Sequence, residues 1–171
     1  MPIRVLPLLF SIFIFWATGA SQSVPPPSLS MTISTTPIVV NAGTDVKIEI
    51  IIKNISDHDV GVDKSPGENS GEKHTKVEVR DDKGKLVRET GYKRALEGNG
   101  GYDEVSGRII IPMGSNMGVL LKPGETVKDG LSVNKLYYLD KPGKYTIQCQ
   151  RFEDESSTWV KSNTITITVT P

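Results

Sequence analysis

From Leu29 to the end of the chain, apolar side chains fall on every second position, the period that turns one face of a pleated strand toward a core. Leu29, Met31 and Ile33 alternate with Ser and Thr, and Val46, Ile48, Ile50 and Ile52 alternate with Lys47, Glu49 and Ile51. Val77 and Val79 alternate with charged residues, while Val119-Leu120-Leu121 and the run from Val127 to Val133 supply two further strands. The last two strands are the clearest. Tyr145, Ile147 and Cys149 share one face, and Ile165, Ile167 and Val169 alternate with threonines. β-branched residues fill these segments because they pack well on a half-buried pleat. No window sustains helical i, i+3, i+4, i+7 spacing beyond a turn or two.

Turn chemistry punctuates the strands. Asp81-Asp82-Lys83-Gly84-Lys85 predicts a hairpin turn into Leu86 and Val87. In Lys122-Pro123-Gly124-Glu125 the proline presets φ and the glycine accepts a positive one, and Lys141-Pro142-Gly143 makes a third turn. Short one-faced strands between such turns predict an all-β chain, an immunoglobulin-like antiparallel β-sandwich of about seven to nine strands. Two stretches break the rhythm. Asp57 to Lys73 is polar and turn-rich, and Gly91 to Gly107 clusters Gly98, Gly100 and Gly101 around Asn99. Long loops in compact domains tend to be functional or disordered. The second stretch, carrying Tyr92, Lys93, Arg94 and Tyr102, is the expected partner-contact loop; a plain solvated connection is its rival.

The amino terminus changes the address. Arg4, the apolar run from Val5 to Ala17, and Thr18-Gly19-Ala20 predict a signal peptide over 1–20, cut after Ala20. The apolar run is short for a membrane span and is interrupted by Pro7, and no cysteine follows it to take a lipid. Pro25-Pro26-Pro27 makes 21–28 an extended linker, leaving 29–171 as one domain with a real core. Removing Arg4 leaves nineteen basic residues against twenty acidic ones, from an even twenty and twenty. That balance offers no electrostatic footprint for nucleic acid or an anionic membrane. Cys149 is the single cysteine, so packing must hold the fold without an intramolecular disulfide.

Asn54-Ile55-Ser56 at a strand end, the Pro-Gly-Glu turn at 123–125, and Pro142-Gly143-Lys144-Tyr145-Thr146-Ile147 together resemble bacterial secreted immunoglobulin-like domains. The Gly-x-Tyr step is similar to the segment that carries a tyrosine corner in such sandwiches. With Val77-Glu78-Val79-Arg80-Asp81-Asp82-Lys83-Gly84, the same order resembles the bacterial intracellular proteinase inhibitor (BsuPI-type) domain, over roughly Val46 to Cys149. The resemblance implies a sandwich fold and, as one activity, proteinase inhibition. A true immunoglobulin domain would pair Cys149 with a second cysteine beside a buried tryptophan. Here Ile48, Ile50 and Ile52 stand in that strand, and no tryptophan lies between Asn54 and Val77. The export signal also conflicts with an intracellular inhibitor, and fold alone does not transfer function.

Catalytic motifs are sparse. His58 and His74 are the two histidines; Asp57-His58-Asp59 with Asp63 lacks the spacing of a metal site, so no metal and no cofactor are expected. No Gly-x-Ser-x-Gly elbow or phosphate loop occurs. Cys149 alternates inward, where a free thiol acts as a small hydrophobe. Asn54-Ile55-Ser56 matches a glycosylation acceptor pattern. Phe152 and Trp159 flank an acidic turn, but strict alternation sends Phe152 outward and gives Trp159 the parity of Ile165. Only a bulge would bring both to one face. Tyr92 and Tyr102 are expected to be exposed. The expectation is an exported, non-enzymatic interaction or accessory domain with a protein partner and no small-molecule ligand. The alternatives are an extracytoplasmic proteinase-inhibitor-like protein, contacting through the Gly-rich loop, and a carbohydrate-binding module or small hydrolase.

Overall fold

The alternation in Lys47–Asn54 sets the first sheet. In the computed structural model, which describes residues 26–64, 71–98, 102–103, 108–109 and 117–171, this segment is β3. The expected signal peptide, and the linker up to residue 25, lie outside the described residues. Ile48, Ile50 and Ile52 of β3 are all buried, and Ile50 is 0% exposed. β1 (Leu29–Ser34) and β9 (Thr126–Ser132) flank β3, both antiparallel, placing Ile33 and Asp129 opposite Ile50.

The facing sheet runs β2 (Val39–Asn41), β11 (Thr158–Thr170), β10 (Gly143–Glu153), β5 (Lys76–Arg80). Val79, Ile147, Cys149, Ile167 and Val169 project from it against β3 and complete the core. The result is an immunoglobulin-like β-sandwich. One departure from the expected antiparallel order is β2, which pairs parallel to β11. Two smaller ladders complete the set: β4 (Val60–Lys64) with β8 (Met117–Leu121), and the two-residue pair β6 (Tyr102–Asp103) with β7 (Arg108–Ile109).

Local chemistry explains the corners. Gly124 has φ +81°, and the Glu125 N–H donates to the Lys122 carbonyl at 2.9 Å, closing the Pro-Gly turn. The Tyr145 hydroxyl donates to the Lys141 carbonyl at 2.7 Å, a tyrosine corner at the start of β10. The turn after β5 forms as expected, but its return is only a bridge between Arg80 and Leu86, with Leu86 exposed.

Two expectations are corrected. The stretch 57–73 is not merely a connection: Val60 and Val62 alternate inward and make β4, a two-residue apolar signal too brief to stand out. Residues 91–96 are a helix, α1 (Gly91–Leu96), rather than the start of a loop. Thr90 Oγ1 accepts the Lys93 N–H at 3.2 Å as its amino-terminal cap, and Gly98 at φ +74° follows its end. A second short helix, α2 (Val133–Leu136), crosses from β9 to the facing sheet, where the Tyr137 hydroxyl donates to the Val77 carbonyl. The Ser28 N–H, at the end of the expected linker, is buried against Glu153 Oε2 at 3.1 Å.

Candidate functional site

The inward row of β10 begins apolar with Tyr145, Ile147 and Cys149, then continues in the same parity to Arg151 and Glu153, at 6% and 3% exposure. Charged residues buried this deeply need partners. The Arg151 guanidinium donates from Nη2 to the Asp63 carbonyl of β4. Burial lowers its pKa, while the carboxylates of Asp129 and Asp63 act in the opposite sense. Glu153 Oε2 accepts from the Ser28 N–H and the Ser156 hydroxyl. Glu153 Oε1 and Thr75 Oγ1 are buried and have no hydrogen-bond partner among the described residues.

Both of those atoms belong to residues lining a cleft of about 940 Å³ between β4 and β5. The walls come from the β4 backbone around Gly61, the segment 72–77, and the end of β10. The short 3-10 turn Gly71–Lys73 enters beside it. A Cβ on Gly71 would meet the Gly130 carbonyl oxygen at 3.0 Å and Ile50 Cδ1 at 3.1 Å, so only glycine allows this approach to β9.

The rim is aromatic. Between Gln148 and Gln150 the β10–β11 register shifts by one, so that Ser162 and Asn163 lie opposite Cys149. Before this bulge Val160 and Ser162 are the buried positions of β11; after it they are Ile167 and Val169. The parity change brings Trp159 opposite Phe152 on the exposed face, rings edge to face with centroids 5.4 Å apart. Lys76 Nζ sits 4.2 Å from the Trp159 ring centroid, a cation–π contact that holds the ring. Ser162 completes the bulge by accepting the Cys149 N–H at 2.9 Å. The Asn163 side chain meets both the N–H and the carbonyl of Ile33, tying the two sheets together.

The residues expected in a contact loop are placed differently. Lys93 is 7% exposed, and its ammonium bridges Glu89 and Glu97. Burial alone would lower the Lys93 pKa, but the two carboxylate bonds prevail and hold it above the ordinary lysine value. Tyr92 is half-buried, its hydroxyl 3.4 Å from Glu72 Oε2; burial and the Glu72 charge raise its pKa. Arg94 donates to the Glu89 carbonyl at 3.2 Å. Tyr102 lies in β6, opposite Ile109. The geometry therefore fastens Lys93 and half-buries Tyr92, where exposure was expected. The signal missed was the Thr90 and Gly98 pair bracketing a helix of six residues, too few to show a period.

Other sequence candidates resolve structurally. Asn54 is 0% exposed, its amide donating to the carbonyls of His58 and Leu121 at 2.7 and 2.8 Å. Its Oδ1 accepts from the Ser56 N–H and hydroxyl, so the asparagine of the acceptor pattern is sealed inside the fold. Cys149 is 0% exposed, and burial pushes its thiol up to about 12. His58 is exposed, with Nδ1 3.0 Å from Asp57 and Nε2 2.5 Å from Glu155. Among the described residues no three His, Cys, Asp or Glu side chains gather as a metal shell.

No protein-family model and no curated protein matches the chain. Among solved structures it is similar to a CARDB domain from Pyrococcus furiosus determined in complex with di-metal ions. That likeness has 18% identity and a TM-score of 0.42, covering 84% of this chain and 93% of the other. It is also similar to Spo0M, the sporulation control protein of Bacillus subtilis, at 10% identity and a TM-score of 0.45, covering 85% and 51%. A β-glucosidase from Erythrobacter marinus aligns at 13% identity and a TM-score of 0.42, covering 84% of this chain and 15% of the enzyme. Likenesses this distant carry no activity and no residue role to this chain.

Proposed function

We propose that this chain is an exported, non-catalytic accessory domain that recognises its partner through the cleft between β4 and β5. The observation that carries the reading is the cleft's lining: two of its residues, Glu153 and Thr75, hold Oε1 and Oγ1 buried without a partner among the described residues. An unsatisfied buried polar atom costs roughly 1–3 kcal/mol, and a native fold that keeps two of them in one cleft keeps them at a cost to stability. The surface sits on strands of a packed sandwich, which hold a recognition site more rigidly than a loop. The Arg4 to Ala20 export pattern supplies the address.

Gly61 provides the test. It lines the cleft, and a Cβ there meets nothing within 4 Å, so Gly61→Trp fills the cleft without disturbing the fold. The purified protein should co-sediment with envelopes of the cells that make it, and Gly61→Trp should lose that binding while keeping its unfolding midpoint. Equal co-sedimentation by both forms would remove the cleft from the account. Amino-terminal sequencing of the exported protein should begin at or near Ser21; an intact Met1 form would remove the export.

A further inference from the structure

Resting on that reading of the cleft, we infer that its occupant is an extended, basic segment of a partner protein, which adds to the open edge of β4 as a further strand. The direction of the β4 backbone carries the inference. Asn54 Nδ2 donates to the His58 and Leu121 carbonyls at 2.7 and 2.8 Å, so those two carbonyls face each other at the mouth of the β4–β8 ladder. In an antiparallel pair, alternate residues turn their N–H and C=O toward the partner strand, and the residues between turn them away. Val60, opposite Leu121, and Val62 therefore bond to β8, while Gly61 and Asp63 point their backbone groups outward. The Arg151 guanidinium of the facing sheet reaches the Asp63 carbonyl from that outer side.

Among the described residues no strand pairs with this outer edge, and the cleft runs along it from Asp59 to Asp63. The Gly61 N–H and carbonyl and the Asp63 N–H are thus presented to the cleft, at the one position of β4 without a side chain to hinder approach. The opposite wall offers no such template. The β5 carbonyls of Val77 and Val79 are taken by the Tyr137 hydroxyl and the Val87 N–H. A row of open backbone groups is met in register by another extended chain, the mode in which a peptide lengthens a sheet.

The side chains fix the chemistry of that chain. Val60 and Val62 turn to the inner side, where Val77 and Leu96 also line the cleft, so the inner positions of the added strand are apolar. Of the charged residues along the cleft, Asp59, Asp63, Glu97, Asp154 and Glu155 are exposed, against Lys76 as the exposed cation. The outer positions of the added strand are therefore basic. The same acids set two copies of this edge against each other, the means by which edges avoid pairing with themselves.

The probe is a fluorescein-labelled peptide, Lys-Val-Lys-Val-Lys-Val-Lys with blocked ends, titrated against the full exported protein by fluorescence anisotropy. Saturable binding is expected, and the Glu-for-Lys counterpart should bind about tenfold more weakly. Methylating either the Lys or the Val backbone nitrogens should weaken one of the two peptides about tenfold and spare the other, because only one set of N–H groups meets β4. Gly61→Pro deletes the outward N–H and leaves the ladder to β8 intact, so it should keep the unfolding midpoint and weaken binding about tenfold. Gly61→Ala keeps that N–H, its Cβ meets nothing within 4 Å, and it should bind as wild type. If Gly61→Pro lowers the midpoint, the methylated peptides decide alone.

No saturable binding, or equal binding by both methylated forms, overturns the added strand; tighter binding of the Glu peptide overturns its basic character. A dimer in sedimentation velocity that Gly61→Pro dissolves gives the edge to a second copy and overturns the partner segment. Envelope co-sedimentation separates this inference from the cleft itself. If Gly61→Trp abolishes it and a well-folded Gly61→Pro leaves it intact, the cleft stands and the added strand falls.

Discussion

Asn54 shows how one polar residue is made structural. Its amide makes four hydrogen bonds in a site with no solvent access, joining the end of β3 to the turn that follows it and to the end of β8. Asn54→Ala would strand the Leu121 carbonyl in a buried setting and leave its other partners to water. Urea unfolding should show a loss of roughly 2–3 kcal/mol, set by the penalty for a buried group left unpaired. A change below about half a kcal/mol would mean the pocket admits water. The two histidines are a second residue-scale test, because their environments push them apart. Hydrogen bonds to Asp57, then Glu155, raise the His58 pKa above 6.5, whereas burial, followed by the charge of Arg151, lowers that of His74. The signs follow by linkage. The His58 contribution to stability is complete below pH 6.5 and is lost as pH rises through its folded pKa. That of His74 is present above pH 6.5 and is lost as pH falls through its folded pKa. Proton NMR should resolve two imidazole titrations, one midpoint on each side of 6.5; a shared midpoint would contradict both environments.

At the scale of elements, the bulge in β11 governs what the cleft presents. One extra residue reverses the parity, and Trp159 leaves the face of Ile167 for the solvent side, beside Phe152. Ser162 sustains that geometry by accepting the buried Cys149 N–H. Ser162→Ala should therefore cost roughly 1–3 kcal/mol and shift the Trp159 fluorescence, since the register on the rim side loosens. An unchanged spectrum with unchanged stability would show that the ladder alone holds the bulge. α1 makes the opposite point about loops. Tyr92 and Leu96 pack against the core and Lys93 bridges two glutamates, so 91–98 is part of the scaffold. Replacing 91–98 with a Gly-Ser linker should lower the unfolding midpoint by several degrees, as a loss of about 1–3 kcal/mol does in a domain of this size. A loop that served only as a spacer would leave the midpoint where it was.

For the whole molecule, Cys149 is a gauge of cooperativity. It lies at the middle of the core, where burial raises its pKa to about 12. The thiolate is the reacting species, so alkylation at pH 8 requires both exposure and deprotonation. Native protein should label at the rate of global unfolding and react at once in denaturant. Fast native labelling would reveal a sub-global opening of β10.

Much of this architecture is written in the chain as period two: β3, β10 and the carboxy-terminal half of β11 each read directly, as did the Pro-Gly turn, while the tyrosine corner came from the resemblance to immunoglobulin-like domains. Local rules suffice there because each strand buries one face and each turn needs one backbone geometry. The inward burial of Cys149 followed from the same parity. Arg151 and Glu153 were legible in principle, since they continue that row, but alternation says which face a residue takes and not what it meets. What only the tertiary structure decided was the cleft and its rim. β4 needed β8, some sixty residues away, to make a strand of two valines. The bulge that exposes Trp159 depends on a single-residue mismatch between β10 and β11 that neither strand records alone. The partnerless oxygens of Glu153 and Thr75 exist only because distant segments close around them, and a hydrogen bond left unmade is a property of the packed molecule.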